Sequence, residues 1–475
     1  MSLPLQNAEL IGRMPPGPAP QRIPFFGRQA QKMRFYRDPI AYHQHVYNTY
    51  GDLASFIQGG QKILIYNPEY NRQVFNQPDV FQVERIVMPG PKDSALHRLG
   101  LGLNSMNGEL HRRQRRLVLP AFHRQHIEHY RDSMIAVTQR IIDELELHQT
   151  TDIAHVMQKL TLCVASETLF GVDALDDANS LGHKIARWIK FNANRWIYMF
   201  PYDLPGTPLR QLKTLSIELE QYILQLLEQK RAQPSAHRDA LALLLQARDE
   251  DGSALSDDEI IGQTTLMFIA GFETSAVALT WTLFLLAQHP EIYADLVDEM
   301  QSVLHGDAPT TAQTMQMPLL DRVIKESLRL FPPAIQGGRI STQDFAMGGY
   351  EFAAGTKVMY SEFMTHRLPD IYPDPLLFNP NRWENFDPGT FAYIPFLAGP
   401  RRCLGAEFAM LEMKIVLSML LQRYRISLPQ QTHIDRKVLF TLEPKDGLAL
   451  ELHPFDRNFR KSTVTGNVNE LVSLH

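Results

Sequence analysis

A mostly α-helical fold with a minor β component is the class this sequence predicts, and three observations carry it. Long stretches repeat apolar residues at helical spacing, strand-like runs gather in only three short regions, and one long apolar run is framed by helix start and stop signals. A chain of 475 residues would allow about three domains by length alone. No Gly/Ser linker, repeat or shift of composition divides it. One unit over 15–455 is therefore expected, preceded by an unstructured 1–14 and followed by a polar, flexible 456–475. A formal charge of −5 argues against non-specific nucleic-acid binding, and two cysteines exclude a disulfide framework.

The opening MSLPLQNAELIGRM lacks the apolar stretch of a signal peptide or spanning helix, so no transmembrane anchor is expected. The proline-rich RMPPGPAPQRIPFFG that follows is expected to be extended. DLASFIQGGQKILIYN then reads as a strand pair turning at Gly59-Gly60. Helices are expected over roughly 109–146, 152–170, 209–232, 256–289, 318–331 and 403–425. The first contains Arg112, Arg113, Arg115 and Arg116, a density that by itself describes a solvated basic face. The second holds Cys163 inside LTLCVASETLF, an ordinary setting for a core cysteine. Before the third, RWIKFNANRWIYMFPYDLP (Arg187–Pro205) reads as core or substrate-channel lining, with peripheral membrane contact as the second reading.

The fourth helix opens on Ser256 and Glu259, spaced as a capping box, and stops before Pro290. Its inner half, Thr264 to Ala287, is apolar enough to pass for a membrane span. The flanking acids, the cap and Glu273 fit a buried helix better. The fifth, LLDRVIKESLRLFPP, is amphipathic, ends on two prolines, and places Glu326 and Arg329 on one face. YEFAAGTKVMYSEFMT and TLEPKDGLALELHP are the other strand regions, with a hairpin expected at Asp446-Gly447.

The loop FLAGPRRCLG, Phe396 to Gly405, is built to offer the sulfur of Cys403 to a metal. Gly399 and Gly405 bracket the cysteine and permit positive φ and close approach to a flat ligand. Pro400 stiffens the approach and removes one amide donor. Arg401, Arg402 and the helix start that follows favour thiolate over thiol. The full pattern F-x-x-G-x-R-x-C-x-G resembles the haem-binding loop of the cytochrome P450 family.

The resemblance implies the P450 fold, with a long central helix over haem and a small β-rich region. It implies haem b (iron protoporphyrin IX) with the Cys403 thiolate as axial ligand, Phe396 packed on the ligand side and Arg401 at a haem propionate. Ala270-Gly271-Phe272-Glu273-Thr274-Ser275 resembles the family's oxygen-binding groove. Small Ala270 and Gly271 would admit the macrocycle and dioxygen, and Glu273 with Thr274 would relay protons during O–O bond cleavage. Many members carry aspartate where this chain has Glu273. The pair Glu326 and Arg329 resembles the family's E-x-x-R helix, with Arg382 of FNPNRWENF as third member of a buried ion network. His111 and Arg115 stand at the two ends of the family's W-x-x-x-R propionate motif, histidine replacing tryptophan. Arg339 in QGGRIST resembles a further propionate contact.

The implied function is monooxygenation: one oxygen atom of O2 enters a lipophilic substrate by hydroxylation or epoxidation. The segments 84–104, 189–208, 264–274, 334–340 and 440–442 are rich in apolar residues and favour a fatty acid or terpenoid. The sequence lacks a flavin or nicotinamide fingerprint and an iron–sulfur cysteine cluster. Electrons are therefore expected from a separate ferredoxin or flavodoxin with its NAD(P)H reductase, docked on the basic face of Arg112, Arg113, Arg116 and Arg402. Two other functions could use the same loop: a haem-thiolate peroxygenase or isomerase, and a non-catalytic haem sensor. A soluble, cytoplasmic, bacterial-type protein is expected.

Overall fold

A computed structural model of the chain describes residues 14–20, 27–84, 90–173, 181–192, 194, 197, 201–233 and 239–474. Residues 1–13 of the N-terminus expected to be unstructured lie outside them, as do parts of the lining segments 84–104 and 189–208. The chain divides into two compact units. One comprises Met1–Glu84, Arg329–Leu377 and Asn385–Cys403; the other comprises Arg85–Leu328, Phe378–Glu384 and Leu404–His475. Each is assembled from segments distant in sequence, so no linker marks a boundary where one undivided unit was expected.

The first unit is built on a five-stranded sheet. Leu53–Ser55 and Lys62–Ile65 form the antiparallel pair expected around Gly59, which takes φ +73°. Lys62–Ile65 then runs parallel to Lys357–Tyr360, which pairs antiparallel with Gly337–Ser341, and that strand pairs with Phe81–Gln82 at the edge. The inward residues Leu53, Ile63, Ile65, Phe81, Val358 and Tyr360 form one core with Val74 and Phe75 of the helix Pro68–Asn76. Ile394 and Ala398 complete that core. Full burial of such side chains contributes about 1.5–3 kcal/mol each, so the approach to the cysteine loop is seated in a hydrophobic core of this unit.

The second unit is helical. Its longest helix, Asp257–Gln288, begins with the expected capping box. Ser256 Oγ accepts from Glu259 N at 3.3 Å, and Glu259 Oε2 accepts from Ser256 N at 2.8 Å. Among the described residues this is the one helix long and apolar enough to cross a membrane, and 72% of its apolar window is buried inside the protein. It packs along Ile153–Phe170, which Asp152 caps and which ends at Gly171 in the left-handed conformation (φ +64°). Pro208–Ala232, Pro318–Leu330 and Ala406–Arg423 occupy the remaining helical stretches expected.

Three expectations are corrected. The single helix over 109–146 is two, Gly108–Val118 and Arg124–Asp143, joined by a 3-10 turn at Leu119–Phe122. Pro120 has no N–H to continue the ladder, and the chain leaves helical geometry at His123. Asp446-Gly447 does not close a hairpin. Leu442–Pro444 pairs with Arg436–Val438, whereas Ala449–Pro454 pairs with Tyr424–Ser427 and Thr150–Asp152. Gly447 is required on two counts: its φ is +80°, and a Cβ there would stand 2.4 Å from the Asp152 carboxylate that accepts from Leu448 N. Nor is 456–475 a flexible tail. Val464–Thr465 pairs with Thr432–His433, and Val468, Leu471, Val472 and Leu474 are buried. The apolar spacing of those four side chains is masked by the polar residues between them.

Candidate active site

Backbone geometry presents the cysteine. Leu397 (φ +56°) and Gly399 (φ +67°) are both left-handed, and a Cβ on Gly399 would meet the Phe75 carbonyl at 2.8 Å. Only glycine meets both demands. Pro400 sits inside a 3-10 turn, Gly399–Arg401, and the amide of Cys403 donates to Phe396 O at 2.8 Å, closing the loop. Cys403 is exposed. Cys163 is buried, and burial pushes its thiol up to about 11, so it stays protonated. Gly405 departs from expectation. Its φ is −85°, and the one neighbour a Cβ would meet is Phe122 Cε1 at 4.0 Å, so it caps the helix Ala406–Arg423 without needing glycine's freedom.

Around this loop the first unit sets a buried polar frame. Arg329 is fully buried and donates to the carbonyls of His366, Pro375 and Leu377 at 3.1, 2.7 and 3.1 Å. His366 in turn accepts from Ile394 N at 2.8 Å, two residues before Phe396. That acceptor role requires a neutral ring, and burial, with the charges of Arg329 and Arg367, holds His366 well below the usual histidine range. Arg339 is 7% exposed and donates to Gly338 O (2.8 Å) and Tyr360 Oη (3.1 Å), both neutral. A buried guanidinium on neutral acceptors has donors suited to a carboxylate, which is the chemistry of a propionate.

In the second unit Glu326 is fully buried and accepts hydrogen bonds at both carboxylate oxygens. Asn379 N (3.1 Å) and Arg382 Nε (2.9 Å) reach Oε1, and Trp383 Nε1 (2.9 Å) reaches Oε2. The expected partnership of Glu326 with Arg382 is present, and Trp383 joins it. On the helix Gly108–Val118, His111 is buried and Arg115 half-buried, one turn apart on one face. The other arginines of that helix are engaged: Arg112 with Glu109 (2.9 Å), Arg113 with Glu259 (3.1 Å), Arg116 with Asp249 (3.3 Å). The basic face expected from Arg112, Arg113 and Arg116 is thus a set of ion pairs, with Glu109 supplied by the same helix and Asp249 and Glu259 by a distant segment.

From Ile260 onward the long helix Asp257–Gln288 is buried except along one stripe. Leu266, Ile269, Gly271, Glu273 and Thr274 are half-buried, and Ala270 is exposed. Small side chains make a ledge in mid-helix, accessible from the side and bordered by an acid and an alcohol. A Cβ on Gly271 would point at Leu169 Cδ1, 3.3 Å away, so this glycine serves the approach of the helix Ile153–Phe170, and the ledge rests on Ala270. Thr274 Oγ1 donates to Ala270 O at 2.8 Å, leaving its lone pairs to accept. Glu273 Oε1 accepts from Thr441 Oγ1 at 3.2 Å, and burial raises its carboxyl above the usual range, with the Glu443 charge adding to the shift. The thiolate-presenting loop, the carboxylate-ready guanidinium and the ledge with its acid–alcohol pair all suit a haem.

Comparison with known proteins agrees. The family model for Cytochrome P450 matches residues 15–450. The cyclooctat-9-en-7-ol 5-monooxygenase of Streptomyces melanosporofaciens is 31% identical over 421 residues, covering 86% of this chain and 89% of that protein. The pentalenene oxygenase of Streptomyces avermitilis is 29% identical, covering 92% and 97%. Among solved structures, retinoic acid-bound cyanobacterial CYP120A1 matches with a TM-score of 0.80 at 27% identity, covering 93% of this chain and 100% of that one.

Proposed function

Since the chain belongs to the cytochrome P450 family and is a haem-thiolate monooxygenase of that family, we propose that it inserts one oxygen atom of O2 into a terpenoid, with Cys403 as the axial ligand and Glu273 and Thr274 as the proton relay. The ledge at Ala270, with an acid and an alcohol beside it in an otherwise buried helix, carries this reading. A terpenoid is favoured over a fatty acid by the relatives named for cyclooctat-9-en-7-ol and pentalenene. Bound haem supplies dioxygen activation and oxygen-atom transfer.

The protein's own residues hold and orient that group and manage protons. The loop from Phe396 to Gly405 offers the Cys403 sulfur, and Phe396 packs beside it. Arg339, Arg401, His111 and Arg115 supply donors for the propionates. Once its hydroxyl turns from Ala270 O, Thr274 Oγ1 would accept a proton from the Glu273 carboxyl and pass on its own, so the hydroxyl ends neutral. Electrons come from a redox partner, which we take to be a ferredoxin or flavodoxin with its reductase. We take Arg112, Arg113, Arg116 and Arg402 to be the basic residues that meet an acidic donor, with the first three also ion-paired within the protein. We take the enzyme to be soluble and cytoplasmic; the apolar helix Asp257–Gln288 is largely buried inside the protein.

Two measurements test this. In a panel of terpenoid olefins and alcohols against fatty acids of equal carbon number, terpenoids should displace the water ligand in the haem spectrum at lower concentration. Fatty acids binding more tightly would reverse the substrate assignment. Thr274→Ala should divert electrons from product to hydrogen peroxide, with product formation falling about 100-fold. Unchanged coupling would contradict the relay and favour a peroxygenase or sensor.

A further inference from the structure

The relay leaves a question of supply: which path brings protons to Glu273. On the long helix Glu273 shares a face with Ala276, Val277 and Thr280, which lie three, four and seven residues further on. Those three side chains line a half-open cavity of about 160 Å3. Its other walls are polar, with Asp152, His155, Lys437 and Glu443 among them. The strand pair Arg436–Val438 and Leu442–Pro444 frames the cavity, and its register sets Lys437 opposite Glu443, Nζ to Oε1 3.3 Å. Trp281 Nε1 donates to Leu442 O at 2.7 Å and fixes this pair to the long helix. At its turn Thr441, 2% exposed, points its hydroxyl at Glu273 Oε1.

Anchoring alone does not explain that hydroxyl, because the Trp281 bond already ties the strand pair to the helix. Thr441 donates to Glu273 and stands two residues before Glu443 of the cavity wall, and a hydroxyl can accept a proton on one side while donating on the other.

We propose that Thr441 and Glu443 carry protons from this cavity to Glu273, making the strand pair the proton inlet of the enzyme. In each transfer the Glu443 carboxylate takes a proton from cavity water and gives it to Thr441 Oγ1, whose own hydroxyl proton moves to Glu273 Oε1, so Glu443 returns to its carboxylate form. The hydroxyl ends neutral, and one proton has advanced to the acid beside Thr274. The purpose of the inlet rests on the monooxygenase reading above, whereas its geometry does not. Thr441 is a positioning and relay residue that acts through Glu273.

The test uses the holoprotein and reads the proton itself. Infrared difference spectra identify the Glu273 carboxyl as the band lost in Glu273→Gln, and its rate of exchange is followed after mixing into deuterium oxide. Thr441→Val keeps the shape and removes the hydroxyl. It should move the band to higher frequency and slow its exchange by about tenfold, the equivalent of one ordinary hydrogen bond. Thr441→Ser should restore both, and Glu443→Gln should slow exchange without moving the band. Exchange in Thr441→Val at the wild-type rate, or Thr441→Ser as impaired as Thr441→Val, would overturn the inlet. Dioxygen consumption driven by added ferredoxin and ferredoxin reductase is measured alongside. A wild type that consumes none would sink the monooxygenase reading while the exchange rates still decide the inlet.

Discussion

Replacing Glu326 by glutamine keeps the size of the side chain and one of its oxygens, and it should still be among the most damaging single changes in the protein. Oε1 takes two donors, Asn379 N and Arg382 Nε, and Oε2 takes Trp383 Nε1 at 2.9 Å. Whichever way the amide of Glu326→Gln settles, its NH2 would be turned towards an N–H that now meets a carboxylate oxygen, such as that of Trp383. Two donors would then face each other in a site with no exposure to water. The buried Arg382 guanidinium also loses its counter-charge, and breaking a buried pair by removing one partner costs about 3–5 kcal/mol. With total stability of about 5–15 kcal/mol, that is a large fraction. Urea unfolding followed by tryptophan fluorescence measures it, and haem content after purification reports the consequence. Adding Trp383→Phe should recover part of the loss by removing one of the opposed donors, giving a coupling that a double-mutant cycle resolves. A Glu326→Gln protein within 1 kcal/mol of wild type would refute the reasoning.

Two further outcomes are expected. Gly399→Ala forces a Cβ to 2.8 Å from the Phe75 carbonyl at a φ of +67°, so it should cost about 1–3 kcal/mol from the conformation alone and lower haem loading. Gly405→Ala, with φ −85°, should be tolerated, and equal effects of the two in a thermal melt would contradict the loop geometry. Glu412 is fully buried in the helix Ala406–Arg423, and burial pushes its carboxyl from 4.5 up to about 8, with Ser275 offsetting part of the shift. Between those values the folded chain holds a proton that the unfolded chain has lost. The contribution of Glu412 is therefore fully present at low pH and declines as pH rises towards 8. Glu412→Gln should gain stability relative to wild type from pH 5 to pH 8, and a difference that stays flat in urea midpoints would count against it.

Much of this site is written locally in the sequence. The capping box of Ser256 and Glu259 and the glycine before the cysteine each depend on a short motif, and each is present. What stayed hidden depends on pairing between distant segments. His366 supports the approach to Phe396 because Arg329 fixes its carbonyl and Ile394 needs an acceptor. Nothing near His366 in sequence announces either partner. Thr441 meets Glu273 because Leu442–Pro444 pairs with Arg436–Val438 and not with the strand after Asp446-Gly447. A turn dipeptide is evidence for a bend but not for which strands meet across it. The arginine-rich helix shows the same limit for charge. Asp249 and Glu259, far along the chain, convert an apparent docking face into ion pairs. Gly405 and Gly271 show it for glycine, where identity is visible but the reason for it, φ or a neighbour's approach, is not.

The central claim is that Cys403, not Cys163 or a histidine, holds the haem iron as thiolate. The carbon monoxide difference spectrum of the reduced protein, recorded beside Cys403→His, tests it directly. The wild type should show the strongly red-shifted Soret band characteristic of thiolate ligation, and the variant should lose it. A histidine-type spectrum in the wild type, or a red-shifted band that survives in Cys403→His, would contradict the assignment and the mechanism built on it.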